Sequence, residues 1–95
     1  PNIIEKTIEE KKNKKPYLYK LILLNDDFTT MDFVVKILIM FLNKTNTQAK
    51  LLMLKVHNEG SAVCGLFPID VAKTIQKKIH NYSSINQQPL KCIIK

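Results

Sequence analysis

The sequence predicts a small α+β domain: a three-stranded antiparallel sheet covered by three helices, in the order β-α-α-β-α-β. Three observations lead there. Residues 17–24, 61–67 and 90–94 are short apolar runs of strand length. The stretches between them space their apolar residues for helices and carry capping residues at their starts. The composition, 45% hydrophobic and 24% charged, lets residues 17–95 build one core without metal or disulfide staples. Such unequal strands and helices pack most simply as a sheet with helices on one face.

Residues 1–16 mix Glu5, Glu9 and Glu10 with five lysines before Pro16. Their only large apolar groups are Ile3, Ile4 and Ile8, too few to offset the entropy of ordering. A flexible N-terminal extension is expected there, and a folded domain over 17–95. The first strand, 17–24, alternates weakly and ends at Asn25. From Thr30 to about Asn43, Phe33, Val34, Ile37, Leu38 and Phe41 recur at helical spacing, and Val35, Ile39, Met40 and Leu42 make this helix apolar on most sides. It should be largely buried. Thr45-Asn46-Thr47 supplies an N-cap for a second helix over 48–58, and Gly60 stands where a helix-ending glycine belongs. Pro68-Ile69-Asp70 opens a third helix running to about Tyr82. A polar loop, 83–89, leads to the last strand.

The formal net charge of +7 raises nucleic acid as a ligand, yet all fifteen basic residues are lysines, dispersed along the chain. Arginine supplies the bidentate contacts that specific readout favours, so a solvated surface accounts better for the charge. Cys64 and Cys92 lie in apolar runs, as buried free thiols do. Together with His57 and His80 they lack zinc-ligand spacing, and no metal or other cofactor is expected. With only two glycines a phosphate-cradling loop is excluded, and no nucleophile–base set accompanies the carboxylates, so the chain does not read as an enzyme.

The informative segment is Asn25-Asp26-Asp27-Phe28-Thr29-Thr30-Met31, where the first strand turns into a helix. Capping explains the threonines and Asp32, but not the three polar residues in a row. On the second helix Leu52, Met53, Val56 and His57 share a face. If His57 joins Asn25 and Asp26 around an apolar hollow, their acceptors suit a peptide α-ammonium group, which donates three hydrogen bonds and is largely charged at neutral pH. Hydrogen bonds to charged groups contribute about 1.5–3 kcal/mol each, enough to tell a free amine from an acylated one. His57 must then present an unprotonated ring nitrogen, and acid should weaken binding.

The run from Tyr19 through this turn to Val34 resembles the first strand, binding turn and helix start of the ClpS family. These are adaptors that deliver proteins with destabilising N-terminal residues to a AAA+ Clp protease. Leu52-Met53-Leu54-Lys55-Val56-His57 with Gly60, Ala62-Val63-Cys64-Gly65, and Pro89-Leu90 before the last strand are similar to that family in the same order. The resemblance implies that Asn25 and His57 hydrogen-bond the substrate α-amino group and that Asp26 helps hold the first peptide unit. It implies a hydrophobic pocket lined by Thr29, Met31, Val34, Met53, Val56 and Leu90. Met31 would act as a gate admitting Phe, Leu, Tyr and Trp and rejecting β-branched Ile and Val.

The extension at 1–16 would be the segment that the unfoldase engages. Asp70 matches an acidic docking position, but the lysine expected five residues later is Ile75, with Lys73 and Lys77 as nearby substitutes. Thr30 stands where many relatives carry proline. The implied partners are N-degron substrates and a ClpA- or ClpC-type ATPase, with the domain monomeric and with no membrane or specific nucleic acid. The alternative is a lysine-rich RNA- or ribosome-interaction domain of similar fold, which the ribosomal stalk protein's C-terminal domain also resembles. A bacterial-type cytoplasm and a plastid stroma are both open. The Ile-, Asn- and Lys-rich composition and the start at Pro1, without a methionine, lean towards an organelle.

Overall fold

The structure, a computed structural model, describes residues 17–95; the expected extension at 1–16 lies outside the described residues. The elements run β1 (Tyr19–Leu24), α1 (Met31–Leu42), α2 (Asn46–Glu59), β2 (Ser61–Phe67), α3 (Ile69–Ile85) and β3 (Lys91–Ile94). The sheet is antiparallel, with β1 central in the order β2-β1-β3. The predicted class and element order are therefore those observed. β1 starts two residues later than expected, because Tyr19 already pairs with Phe67, the last residue of β2.

Leu21 and Leu23 of β1 are fully buried and face Ile37, Leu38, Val56 and Ile79 in one core. Period-2 alternation sends Lys20, Ile22 and Leu24 to the opposite face. Opposite Leu21 the register shifts, so that β2 inserts one extra residue there. A Cβ on Gly65 would lie 2.5 Å from the tip of the Phe67 ring, so any larger residue there requires that ring to move. Tyr82 of α3 ties the helices together, stacked on Phe33 at 5.8 Å and edge-on to Phe41 at 5.7 Å.

Two expectations change. First, α1 buries one stripe rather than most of its surface: Phe33, Val34, Ile37, Leu38 and Leu42 face inward, while Ile39 and Met40 are exposed. Only one side of α1 meets the sheet and its sister helices, so apolar character alone overstated burial. Second, α3 continues through Ser83, Ser84 and Ile85, where a loop was expected. Ser83 is buried in the helix, and nothing in the segment breaks a helix before Asn86.

The end of α3 is a Schellman motif. The Gln88 N–H donates to the Ser83 carbonyl at 2.8 Å and the Gln87 N–H to the Ser84 carbonyl at 3.1 Å. Gln87 adopts a left-handed φ of 58° at the position glycine usually takes. Gln87→Gly is expected to raise unfolding stability by about 0.5–1 kcal/mol, read by urea denaturation.

β3 is an edge strand, and α3 satisfies its backbone. The Cys92 N–H donates to His80 Nε2 at 3.1 Å, and Gln76 Nε2 donates to the Cys92 carbonyl at 2.8 Å. Both cysteines are free and buried. Burial pushes up the Cys64 thiol against smaller opposing pulls from the Leu23 backbone, Lys44 and Lys55. Burial, with a smaller push from Cys64, lifts the Cys92 thiol to about 12. Because these folded values lie above the unfolded one, the thiols' stabilising contribution is whole below about pH 8.5 and is lost as pH rises towards 12. Urea midpoints should therefore fall progressively above pH 8.5 and do so less in Cys92→Ala. A pH-independent midpoint across that range would overturn the assignment.

Candidate functional site

The turn between β1 and α1 is built around Asp26. One carboxylate oxygen accepts the backbone N–H of Phe28 at 2.8 Å and of Thr29 at 2.6 Å; the other accepts the Thr29 hydroxyl at 2.6 Å. Burial raises the carboxyl pKa, but the Thr29 hydroxyl and the two backbone donors outweigh it, and the group is held below its ordinary value. The contribution to stability is thus full above the unfolded carboxylate pKa of about 3.9 and is lost as pH falls through the folded value. The stability gap between wild type and Asp26→Asn should accordingly close on acidification below pH 4. A gap that persists there would contradict it.

Next along the chain, Thr30 caps α1 by accepting the Phe33 N–H at 3.2 Å, and its own N–H donates to Gln88 Oε1 at 3.2 Å. The latter bond ties the turn to the segment before β3. The capping role foreseen for Thr29 or Thr30 thus falls to Thr30, and Thr29 holds Asp26.

α2 arrives at the same place from the other side. Thr45 and Gln48 form a capping box at its start. At its end Gly60 takes φ 89°, a left-handed conformation open to glycine at little cost, and its N–H bonds the Val56 carbonyl at 2.9 Å. The Gly60 carbonyl then accepts the Asn25 N–H, also at 2.9 Å. This bond fixes the end of β1 against the last turn of α2, the turn that carries His57. Both Asn25 and His57 are exposed, and among the described residues neither side chain has a hydrogen-bond partner within the protein.

A hollow of about 380 Å³ opens between the turn, α1 and α2. Asn25, Asp26, Thr29, Met31, Val34, Met53, Val56 and His57 all line it, with Asp27, Phe28 and Thr30. Val34 and Val56 are buried beneath it, Met53 is half-buried, and Met31 is 42% exposed. Its size is within the range of ligand pockets, about 300–1,000 Å³. Leu90, expected in this wall, is placed elsewhere: it is 3% exposed in the core and borders a separate hollow with His80, Ser84 and Gln88. Phe28 was not singled out from the sequence, although a lone aromatic inside a polar turn is a visible signal. It is 80% exposed.

Asp70 lies in the first turn of α3, exposed, one turn from exposed Lys73, whereas Ile75 packs against the core. Among the described residues no three His, Cys, Asp or Glu side chains gather in a metal-binding group. No helix among them is long and apolar enough to cross a membrane.

Fold and hollow together define a ligand-binding domain: an apolar recess with a polar rim whose acceptors suit an amine. Residues 14–93 match the family model described as ATP-dependent Clp protease adaptor protein ClpS. The chain is 46% identical to the ClpS adapter of Nitrosomonas eutropha over 92 residues, covering 95% of this chain and 89% of that one. It is equally identical to the adapter of Nitrosospira multiformis, covering 95% and 90%. The solved structure of Agrobacterium tumefaciens ClpS2 bound to L-phenylalaninamide superposes with a TM-score of 0.81 at 31% identity, covering 85% of this chain and 98% of that one.

The chain belongs to the ClpS family of Clp protease adaptors. The relatives are bacterial, which supports a cytoplasmic-type location and leaves the lean towards an organelle without support.

Proposed function

We propose that this domain captures proteins by a free N-terminus bearing Phe, Leu, Tyr or Trp and delivers them to a ClpA- or ClpC-type AAA+ unfoldase, without itself catalysing a reaction. The observation that carries the reading is the convergence of Asn25, Asp26 and His57 with Thr29, Met31, Val34, Met53 and Val56 on one hollow. In this reading the Asn25 side-chain oxygen and an unprotonated His57 nitrogen accept from the α-ammonium group. Asp26 has two oxygens with about four acceptor sites, of which the turn uses three, so one is left for the first peptide unit. Val34, Val56 and Met53 receive the first side chain.

Met31, half-exposed at the rim, acts as the gate. A methylene-scale misfit in such a pocket costs only about 1–3 kcal/mol, so rejection of Ile and Val works by steric clash. Leu90 supports the pocket from the core rather than lining it. Asp70, with Lys73 in place of the cation missing at Ile75, contacts the unfoldase. Residues 1–16 form an extension that the unfoldase engages, residues 17–95 form the binding domain, and the domain acts as a monomer.

A labelled Phe-initiated peptide, titrated alongside its N-acetylated form and an Ile-initiated one, tests the proposal. Micromolar or tighter binding of the free-amine Phe peptide alone is expected. Equal binding of the acetylated form, or a steep fall of affinity with salt, would favour a lysine-mediated polyanion surface instead.

A further inference from the structure

The chain holds two cysteines and three methionines, all within the described residues, and the fold exposes them unequally. Cys64 and Cys92 are free but buried, and burial pushes both thiols up, so neither presents the thiolate that reacts first with oxidants. Oxidation is left to the thioethers. Met31 is 42% exposed and Met40 47% exposed, whereas Met53 is half-buried. Met31 and Met40 both belong to α1, but nine residues make about two and a half turns and put them on opposite sides of it. Met31 lines the hollow between the turn, α1 and α2; Met40 does not.

We propose that Met31 is a peroxide-sensitive modification site whose sulfoxide closes the hollow to an apolar N-terminal side chain. The inference rests on the proposed reading of that hollow. A thioether lone pair attacks one oxygen of hydrogen peroxide, forming the S–O bond as the O–O bond breaks. The transferred oxygen gives its proton to the departing hydroxide, so the sulfur is oxidised by two electrons and the peroxide is reduced to water. The product sets a hydrated acceptor above buried Val34 and Val56. The Thr29 hydroxyl cannot pair with it, since it already donates to Asp26 at 2.6 Å. An adaptable apolar gate thus becomes a polar one, which must shed its water when an aromatic or leucine side chain covers it. The Met40 sulfoxide, on the solvent side of α1, leaves the hollow untouched and serves as an internal control.

The experiment treats the full chain with graded hydrogen peroxide and locates the sulfoxides by peptide mass mapping. Phe-initiated peptides with free and acetylated amines are titrated before and after treatment. At the dose that converts Met31 and Met40 and spares Met53, affinity for the free-amine peptide is expected to fall about tenfold. It should return once the two stereospecific methionine sulfoxide reductases, supplied with a dithiol, have removed the oxygen. Each variant is judged against its own untreated affinity: Met31→Leu should show a ratio near one, and Met40→Leu the full loss. Unchanged affinity with Met31 fully oxidised, or a full loss in Met31→Leu, would overturn the site while leaving the N-terminal reading standing. Binding by the untreated protein that ignores acetylation would remove that reading and this site with it.

Discussion

Asn25→Ala and His57→Ala are each expected to lower affinity for a Phe-initiated peptide by at least about tenfold, with melting temperature unchanged. In the proposed contact each side chain supplies an acceptor to a charged donor, a bond worth about 1.5–3 kcal/mol, or roughly 10- to 150-fold in affinity. Stability should hold because both residues are exposed and neither side chain bonds another described residue. The tie between Asn25 and Gly60 runs through the backbone and survives truncation of the side chain. Fluorescence anisotropy and a thermal melt on the same samples give both readouts. Unchanged affinity in either variant would sink the proposed contact to the α-amino group.

Leu23→Ala is expected to show the opposite pattern. Leu23 is fully buried on the central strand, between Ala62 of β2 and Cys92 of β3. Removing it opens a cavity flanked by strands on both sides and by helices above, none of which can close it alone. A buried leucine truncated in this way costs about 2–5 kcal/mol. For a domain of this size each kcal/mol lowers the melting temperature by about 4–8 °C, so a fall of 10 °C or more is anticipated. The folded fraction should still bind, because Leu23 does not line the hollow. A variant melting within a degree or two of wild type would show that β1 is not the centre of the core.

These two variants separate what holds the fold from what reads the ligand, and the separation follows from how the turn is built. Asp26 spends most of its acceptor capacity on Phe28 and Thr29, so it serves the turn first. Asn25 and His57 spend theirs on nothing else in the described protein. Of the three polar residues that capping left unexplained, Asp26 thus serves as scaffold, while Asn25 keeps its side chain unpaired among the described residues.

Much of this was legible in the sequence because the deciding forces are local. Thr45-Asn46-Thr47 announces the start of α2, and Gly60 its end, since an N-cap and a left-handed glycine are settled by residues three or four apart; the capping box of Thr45 with Gln48 starts the helix at Asn46, two residues before the expected 48. The apolar runs at 19–24 and 61–67 announce strands by composition and length. What the sequence could not determine was decided by neighbours distant along the chain. How much of α1 is buried depended on which side of it met the sheet. The length of α3 depended on Ser83 finding a place in the core and on Gln87 accepting a left-handed turn that its side chain does not favour. Leu90 went to the core rather than the pocket wall because the Gln88 bond to Thr30 and the pairing of Lys91 with Leu24 fix the chain on either side of it. The residue types at the site were readable from order alone. Their meeting around one hollow was a tertiary result, in which the pairing of Leu24 with Ser61 and the backbone bond from Asn25 to Gly60 set a strand end against a helix end 35 residues away.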